Sequence, residues 1–173
     1  MRATNGFVVL AVATLVFAIT AVPSAGAATT DDACALVTQA QMSAAVGVSM
    51  GAGTHVTPTY VKTCTWTPSG GATKDVKSVT VSYQDAGSYD AGKRLMQQTQ
   101  AAVAVKEGTG KMTDESATGI GDDAYYTTMG TGYTGLMLKK GNVALKVAVY
   151  GDMPADKKKA VEKTLALQAL SKL

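Results

Sequence analysis

The side chains able to do chemistry are few and scattered. His55 is the only histidine among 173 residues. An imidazole can act as a base or a metal ligand, yet its neighbours Gly53-Thr54 and Val56-Thr57 bring no acid or cysteine. No serine stands in a G-x-S-x-G elbow, so a Ser-His-Asp arrangement would have to form in space, without local signature. Asp114-Glu115 and Asp122-Asp123 flank a Gly119-Ile120-Gly121 bend. Carboxylate oxygens suit calcium, but this spacing matches neither an EF-hand nor a calcium repeat. Turn-making and solvation explain these acids, so no metal and no cofactor is assigned; a weak cation site near Asp122 and Asp123 stays open. The eight methionines lack a Met-x-x-Met cluster that would suit Cu(I), and core filling accounts for them.

Cys34 and Cys64 are the two cysteines. Their spacing fits neither C-x-x-C nor a zinc pattern. In an oxidising compartment an even pair reads as a disulfide, and closing a loop of about thirty residues stabilises a fold by roughly 3 to 4 kcal/mol. Tyr125, Tyr126 and Tyr133 fall on neighbouring predicted strands. Adjacent residues alternate faces, so one of Tyr125 and Tyr126 is expected in the core. The other is expected in an exposed aromatic spot with Tyr133 or Tyr150, the kind of surface enriched at binding sites.

The compartment is argued from the first residues. Met1-Arg2 supplies one positive charge, and Phe7 to Val22 contains no charged residue. Pro23 then breaks the helix, and Ala25-Gly26-Ala27 presents small residues to a signal peptidase. This is the pattern of a secretory signal over 1–27, cleaved between Ala27 and Ala28. The apolar run is shorter than the roughly 20 residues of a membrane span, so no stable span is expected after cleavage. Residues 28–33 read as a disordered lead and 34–173 as a single domain. The roughly 146 residues of the mature chain suffice for a real core. The formal charge of +3 falls by one with Arg2, too weak a balance to argue for nucleic acid. Lys157-Lys158-Lys159 reads as a solvated helix face. Ser171-Lys172-Leu173 matches a peroxisomal address, but an N-terminal export signal acts first, and the triplet reads as a frayed helix end.

The elements that must position these side chains are clearly punctuated. Thr38-Gln39-Ala40-Gln41 is a capping box, Val37 and Met42 occupy staple positions, and Gly47 stops a helix over 39–46. Residues 48–58 are Gly/Thr-rich and turn-like. Strands follow at 60–67 and 78–84, the first placing Cys64 and Trp66 on one face. Ser88 caps a helix over 89–105, with Asp90 in its first turn and Leu95, Met96, Thr99, Ala102 and Val103 as the buried stripe. Three strands at 124–129, 133–139 and 142–150 form a meander across two Gly turns. Asp152 or Met153 caps a last helix that turns Val161, Leu165 and Ala169 inward. The expected fold is α+β: a single, mainly antiparallel sheet of about five strands with two to three helices packed on one face.

Three short series carry a resemblance: Asp32-Ala33-Cys34-Ala35-Leu36-Val37-Thr38, Cys64-Thr65-Trp66, and Gly119-Ile120-Gly121-Asp122-Asp123-Ala124-Tyr125-Tyr126. Together they resemble a group of uncharacterised secreted or lipid-anchored bacterial envelope domains. That group is distantly similar to the extracellular sensor domain of mycobacterial serine/threonine kinases. The resemblance implies an envelope location and an α+β fold, and no activity. This chain lacks a lipobox cysteine and a kinase domain. The functional expectation is a secreted or periplasmic, non-enzymatic binding module for an envelope protein or a small ligand. Its rivals are an inhibitor or immunity-type protein acting on an envelope enzyme, and a small secreted hydrolase built on His55.

Overall fold

A computed structural model describes residues 31–103 and 112–173. The secretory segment 1–27, its Ala27–Ala28 junction and residues 28–30 of the lead lie outside the described residues. Seven strands make one antiparallel sheet: β1 (Thr54–Thr57), β2 (Tyr60–Trp66), β3 (Ser78–Asp85), β4 (Met112–Ser116), β5 (Asp123–Met129), β6 (Tyr133–Lys140) and β7 (Val143–Tyr150). They lie in the order β1-β2-β3-β7-β6-β5-β4. The helices are α1 (Ala33–Leu36), α2 (Gln39–Val46), α3 (Ala86–Val103) and α4 (Ala155–Leu170).

The α+β class and the antiparallel sheet stand, but five strands become seven. Both additions are edges, where the alternation of buried and exposed residues fades. Four of the five residues of β4 are exposed, so its sequence carries no apolar period. β1 lies in the Gly/Thr run, and its approach needs glycine. A Cβ on Gly53 would meet Cys64 Sγ and the Trp66 ring at 2.6 Å. Only the bare backbone can pass that close to the disulfide.

The helices occupy both faces rather than one. Period 2 in β7 sends Leu145, Val147 and Val149 to one side, where they join Trp66, Val79, Val81, Leu136, Leu138 and the buried residues of α1, α2 and α4. Ala144 points the other way and packs with Tyr89 of α3 and Tyr125, flanked by Met96 and Met137. A sheet covered on both faces needs apolar residues on both, and Ala144, Ala148 and Val149 are all fully buried.

Local signals mostly act where expected. The Thr38 box is complete, with the Gln41 amide donating to Thr38 Oγ1 and the Thr38 amide donating to Gln41 Oε1. Val37 and Met42 are both buried. Four readings change. Asp85, not Ser88, caps α3: its carboxylate accepts the Ser88 amide at 2.8 Å and the Ser88 hydroxyl at 2.7 Å. The helix therefore starts three residues early, and Asp90 falls beyond its first turn. The buried stripe also lies on another face than expected: Tyr89 is fully buried and Leu95 is 64% exposed. Pro154 is itself the N-cap of α4, rather than Asp152 or Met153. The expected lead also ends sooner, because Asp32 caps α1 and Ala33 is buried.

At its far end the chain is tied down. Lys172 Nζ donates to the Ala35 carbonyl at 2.8 Å, and Leu173 packs against the core. Among the described residues no helix is long and apolar enough to cross a membrane.

Candidate functional site

The titratable groups that converge lie at the β1 edge. Cys34 and Cys64 form a disulfide with Cα atoms 4.9 Å apart, which staples α1 to β2. Asp32 sits two residues before Cys34, and its Oδ1 accepts the Cys34 amide at 2.8 Å. His55 is the cross-strand partner of Cys64. These two placements bring His55 Nε2 to 2.8 Å from the same Asp32 oxygen. The pair is partly exposed, with side-chain accessibilities of 26% and 39%. The imidazole hydrogen bond is the main influence holding the Asp32 carboxyl below its ordinary value, with help from the Cys34 amide.

His55 thus gains the acid that its sequence neighbourhood lacks. The hydrolase arrangement also needs a nucleophile. Among the described residues the imidazole hydrogen-bonds to no serine or threonine hydroxyl, and the nearby Cys34 sulfur is held in the disulfide.

The same edge carries exposed apolar side chains. Val56 is 63% exposed and Tyr60 is 50% exposed, and they flank the Thr57-Pro58-Thr59 turn between β1 and β2. The register shifts between His55 and Thr57, leaving Val56 without a cross-strand partner. Such a bulge re-aims a side chain. The opposite edge differs in character: β4 bears Asp114 and Glu115, charges that discourage strand association. β1 has no charged side chain apart from His55, which is turned to Asp32.

The predicted tyrosine cluster is redistributed. Tyr125 and Tyr126 are both buried, at 5% and 8% exposure, on opposite faces of β5. The expected exposed member does not exist because α3 covers one face and α4 the other. Tyr125 packs against Tyr89 with ring centroids 5.6 Å apart. The Tyr126 hydroxyl donates to the Lys159 carbonyl at 3.3 Å. Tyr133 packs instead against Tyr150, with ring centroids 5.2 Å apart, and both are half-buried. Burial holds the Tyr125, Tyr126 and Tyr133 hydroxyls above the ordinary phenol value.

The paired acids also separate. Asp122 accepts the Gly141 amide at 2.7 Å, while Asp123 pairs with Lys93 at 2.6 Å. Glu115 pairs with Lys159 at 2.6 Å. Asp90, displaced from its expected dipole position, pairs with Lys139 at 2.6 Å. These ion pairs tie α3 to β5 and β6, and α4 to β4. Gly121 holds the bend beside them with φ of 62°, where a Cβ would strike the Lys139 carbonyl oxygen.

Sequence reasoning missed the polar groups on the inner side of α4. Lys158 is 1% exposed and Glu162 fully buried, so the lysine triplet is not a solvated face. The Lys158 ammonium donates to the Thr131 carbonyl. Glu162 Oε1 accepts the Val149 amide at 3.2 Å, and among the described residues Oε2 has no hydrogen-bond partner. Burial pushes the Glu162 carboxyl up to about 8, against the opposing pull of the Val149 amide, Lys158 and Lys159. The positions 158 and 162 keep the helical spacing of Val161, Leu165 and Ala169, which was the available signal; charge alone assigned them outward.

Comparison with known protein families, with curated proteins and with solved structures finds no match to this chain.

Proposed function

We propose that the chain is an exported, non-enzymatic interaction module that engages an envelope protein through the β1 edge. The observation that carries this reading is the pair of exposed apolar side chains, Val56 on the edge strand β1 and Tyr60 at the start of β2, on a hairpin whose edge strand holds no Asp, Glu, Lys or Arg. Tyrosine is enriched at interfaces because it brings contact area with few rotatable bonds. An uncharged edge also leaves its outer backbone groups open to an added strand. The Cys34–Cys64 disulfide fixes the hairpin to α1, and rigid anchors lose less entropy on binding. The partner that fits is an extended, uncharged segment bearing apolar side chains. Export rests on the secretory pattern of residues 1–27 and agrees with a disulfide that closes.

The test is capture from solubilised envelope by the immobilised mature chain, with three variants compared. Val56→Lys and Tyr60→Lys place a charge on the edge and should abolish recovery of any stoichiometric partner. Leu167→Lys, on α4 and 46% exposed, should leave it unchanged. Equal recovery by all three variants, or no partner with any, refutes the edge as the binding surface.

A further inference from the structure

Among the described residues one group of side chains has metal-ligand chemistry and metal-ligand spacing. A carboxylate oxygen of Asp32, a ring nitrogen of His55 and Cys34 Sγ all lie within 4.8 Å of one another. Cys64 Sγ is bonded to Cys34 Sγ and so adjoins this group. We propose that these four residues, Asp32, Cys34, His55 and Cys64, form a zinc-class metal site that the disulfide keeps closed and that reduction opens.

The donor set selects the ion. Two thiolates and an imidazole are soft-to-borderline ligands which, with one carboxylate, suit Zn²⁺ and disfavour Ca²⁺ or Mg²⁺ as the natural occupant. Zinc bonds of about 2.0 to 2.3 Å place tetrahedral ligand atoms roughly 3.3 to 3.8 Å apart. The present spread of 4.8 Å or less among Asp32, Cys34 and His55 closes to that with side-chain rotation, and the freed Cys64 thiolate comes in beside Cys34.

The scaffold supplies the ligands in two pairs. Asp32 and Cys34 share the start of α1, while His55 and Cys64 face each other across β1 and β2. Gly53 and Trp66 wall the sulfur side, where glycine alone permits the approach. Cys34 and His55 are partly exposed, which gives the ion an entry path. In the oxidised protein the sulfurs are bonded to each other and hold no thiolate charge, so the site is shut.

Opening it is a balanced exchange. A dithiol delivers two electrons and two protons to the Cys34–Cys64 bond and leaves as its own disulfide. Zn²⁺ then displaces the two thiol protons and takes Asp32 and the neutral His55 as further ligands. Reversal needs a disulfide oxidant to reclaim the two electrons and expel the ion. The cluster shares β1 with the proposed docking edge, but neither Val56 nor Tyr60 supplies a ligand.

The experiment uses the mature chain, reduced with a phosphine and titrated with Co²⁺ as a spectroscopic stand-in for zinc. The reduced protein should bind one equivalent, with a sulfur-to-cobalt charge-transfer band and tetrahedral ligand-field intensity; zinc should then displace the cobalt. The oxidised protein should show no such band. His55→Ala should weaken binding roughly 100-fold and Asp32→Asn roughly 10-fold, while both keep the oxidised fold by circular dichroism. A reduced wild-type protein without the band overturns the proposal, as does equal affinity in His55→Ala. If reduction alone unfolds the chain, zinc should restore the native spectrum in the wild type and not in His55→Ala; failure to restore it is also a refutation.

Discussion

Replacing Glu162 by glutamine should remove most of the protein's pH dependence of stability above pH 5. The Glu162 carboxyl is fully buried, accepts one amide and, among the described residues, leaves Oε2 without a partner. Burial raises its value from an ordinary 4.5 to about 8. The sign follows from proton linkage. The folded state holds this proton more tightly than the unfolded chain, so the contribution is fully present below pH 4.5 and lost as pH rises towards 8. At 1.36 kcal/mol per pH unit the loss is about 3 kcal/mol by pH 7 and about 5 kcal/mol by pH 9. That is a large share of a typical total of roughly 5 to 15 kcal/mol.

The groups facing Glu162 are Lys158 and Lys159 on its own helix and, from the sheet, Tyr126 and Tyr133. The Lys158 ammonium is held below its ordinary value by burial. Its own deprotonation at alkaline pH therefore relieves a penalty and works against the Glu162 loss. Comparing wild type with Glu162→Gln at each pH cancels that contribution. The assay is urea unfolding followed by Trp66 fluorescence at pH 5, 7 and 9. Wild-type stability should fall across the series. The variant should stay nearly level and exceed wild type at pH 9 by several kcal/mol. Parallel curves, or a wild type that gains stability from pH 5 to 9, would refute the reasoning.

Three further predictions follow from the same geometry. Replacing Cys34 and Cys64 together by serine should cost about 3 to 4 kcal/mol, read as a shift of the urea midpoint. Gly121→Ala should lower stability by about 2 kcal/mol or more, since the position has φ of 62° and a Cβ there meets the Lys139 carbonyl; Gly130→Ala, with positive φ but open space, should cost less. The Asp32 carboxyl is held below 3.8 mainly by His55, so its contribution is present above that value and lost as pH falls through the lower folded value. Asp32→Asn should therefore flatten the acid limb below pH 4, measured by thermal unfolding from pH 2 to 5.

The central strands and the α2 cap were legible because period 2, the Thr38-x-x-Gln41 box and the Gly turns are local signals. β4 was not, because an exposed edge has no apolar face to alternate. β1 was hidden by the glycine-rich run before it, where Gly53 answers to the bulk of Trp66 and the disulfide, some ten residues on. The start of α3 was set by a competing cap, since Asp85 offers a carboxylate three residues ahead of Ser88, while its buried face was set by the pocket that Tyr89 shares with Tyr125 and Ala144. The Asp32–His55 contact is likewise invisible in sequence, since it exists only after β1 pairs with β2 and α1 is stapled beside them. The buried Lys158 and Glu162 follow the helical period of their apolar neighbours, and a reading by periodicity rather than charge would have found them.

The measurement that bears most directly on the proposed function is site-specific photocrosslinking in the native envelope. A photoreactive residue is placed in turn at Val56, Tyr60 and Leu167, and the adducts are identified by mass. The edge-docking account predicts one common protein adduct from positions 56 and 60 and none of that mass from 167. An adduct from Leu167 alone, or the same yield from all three positions, would contradict it.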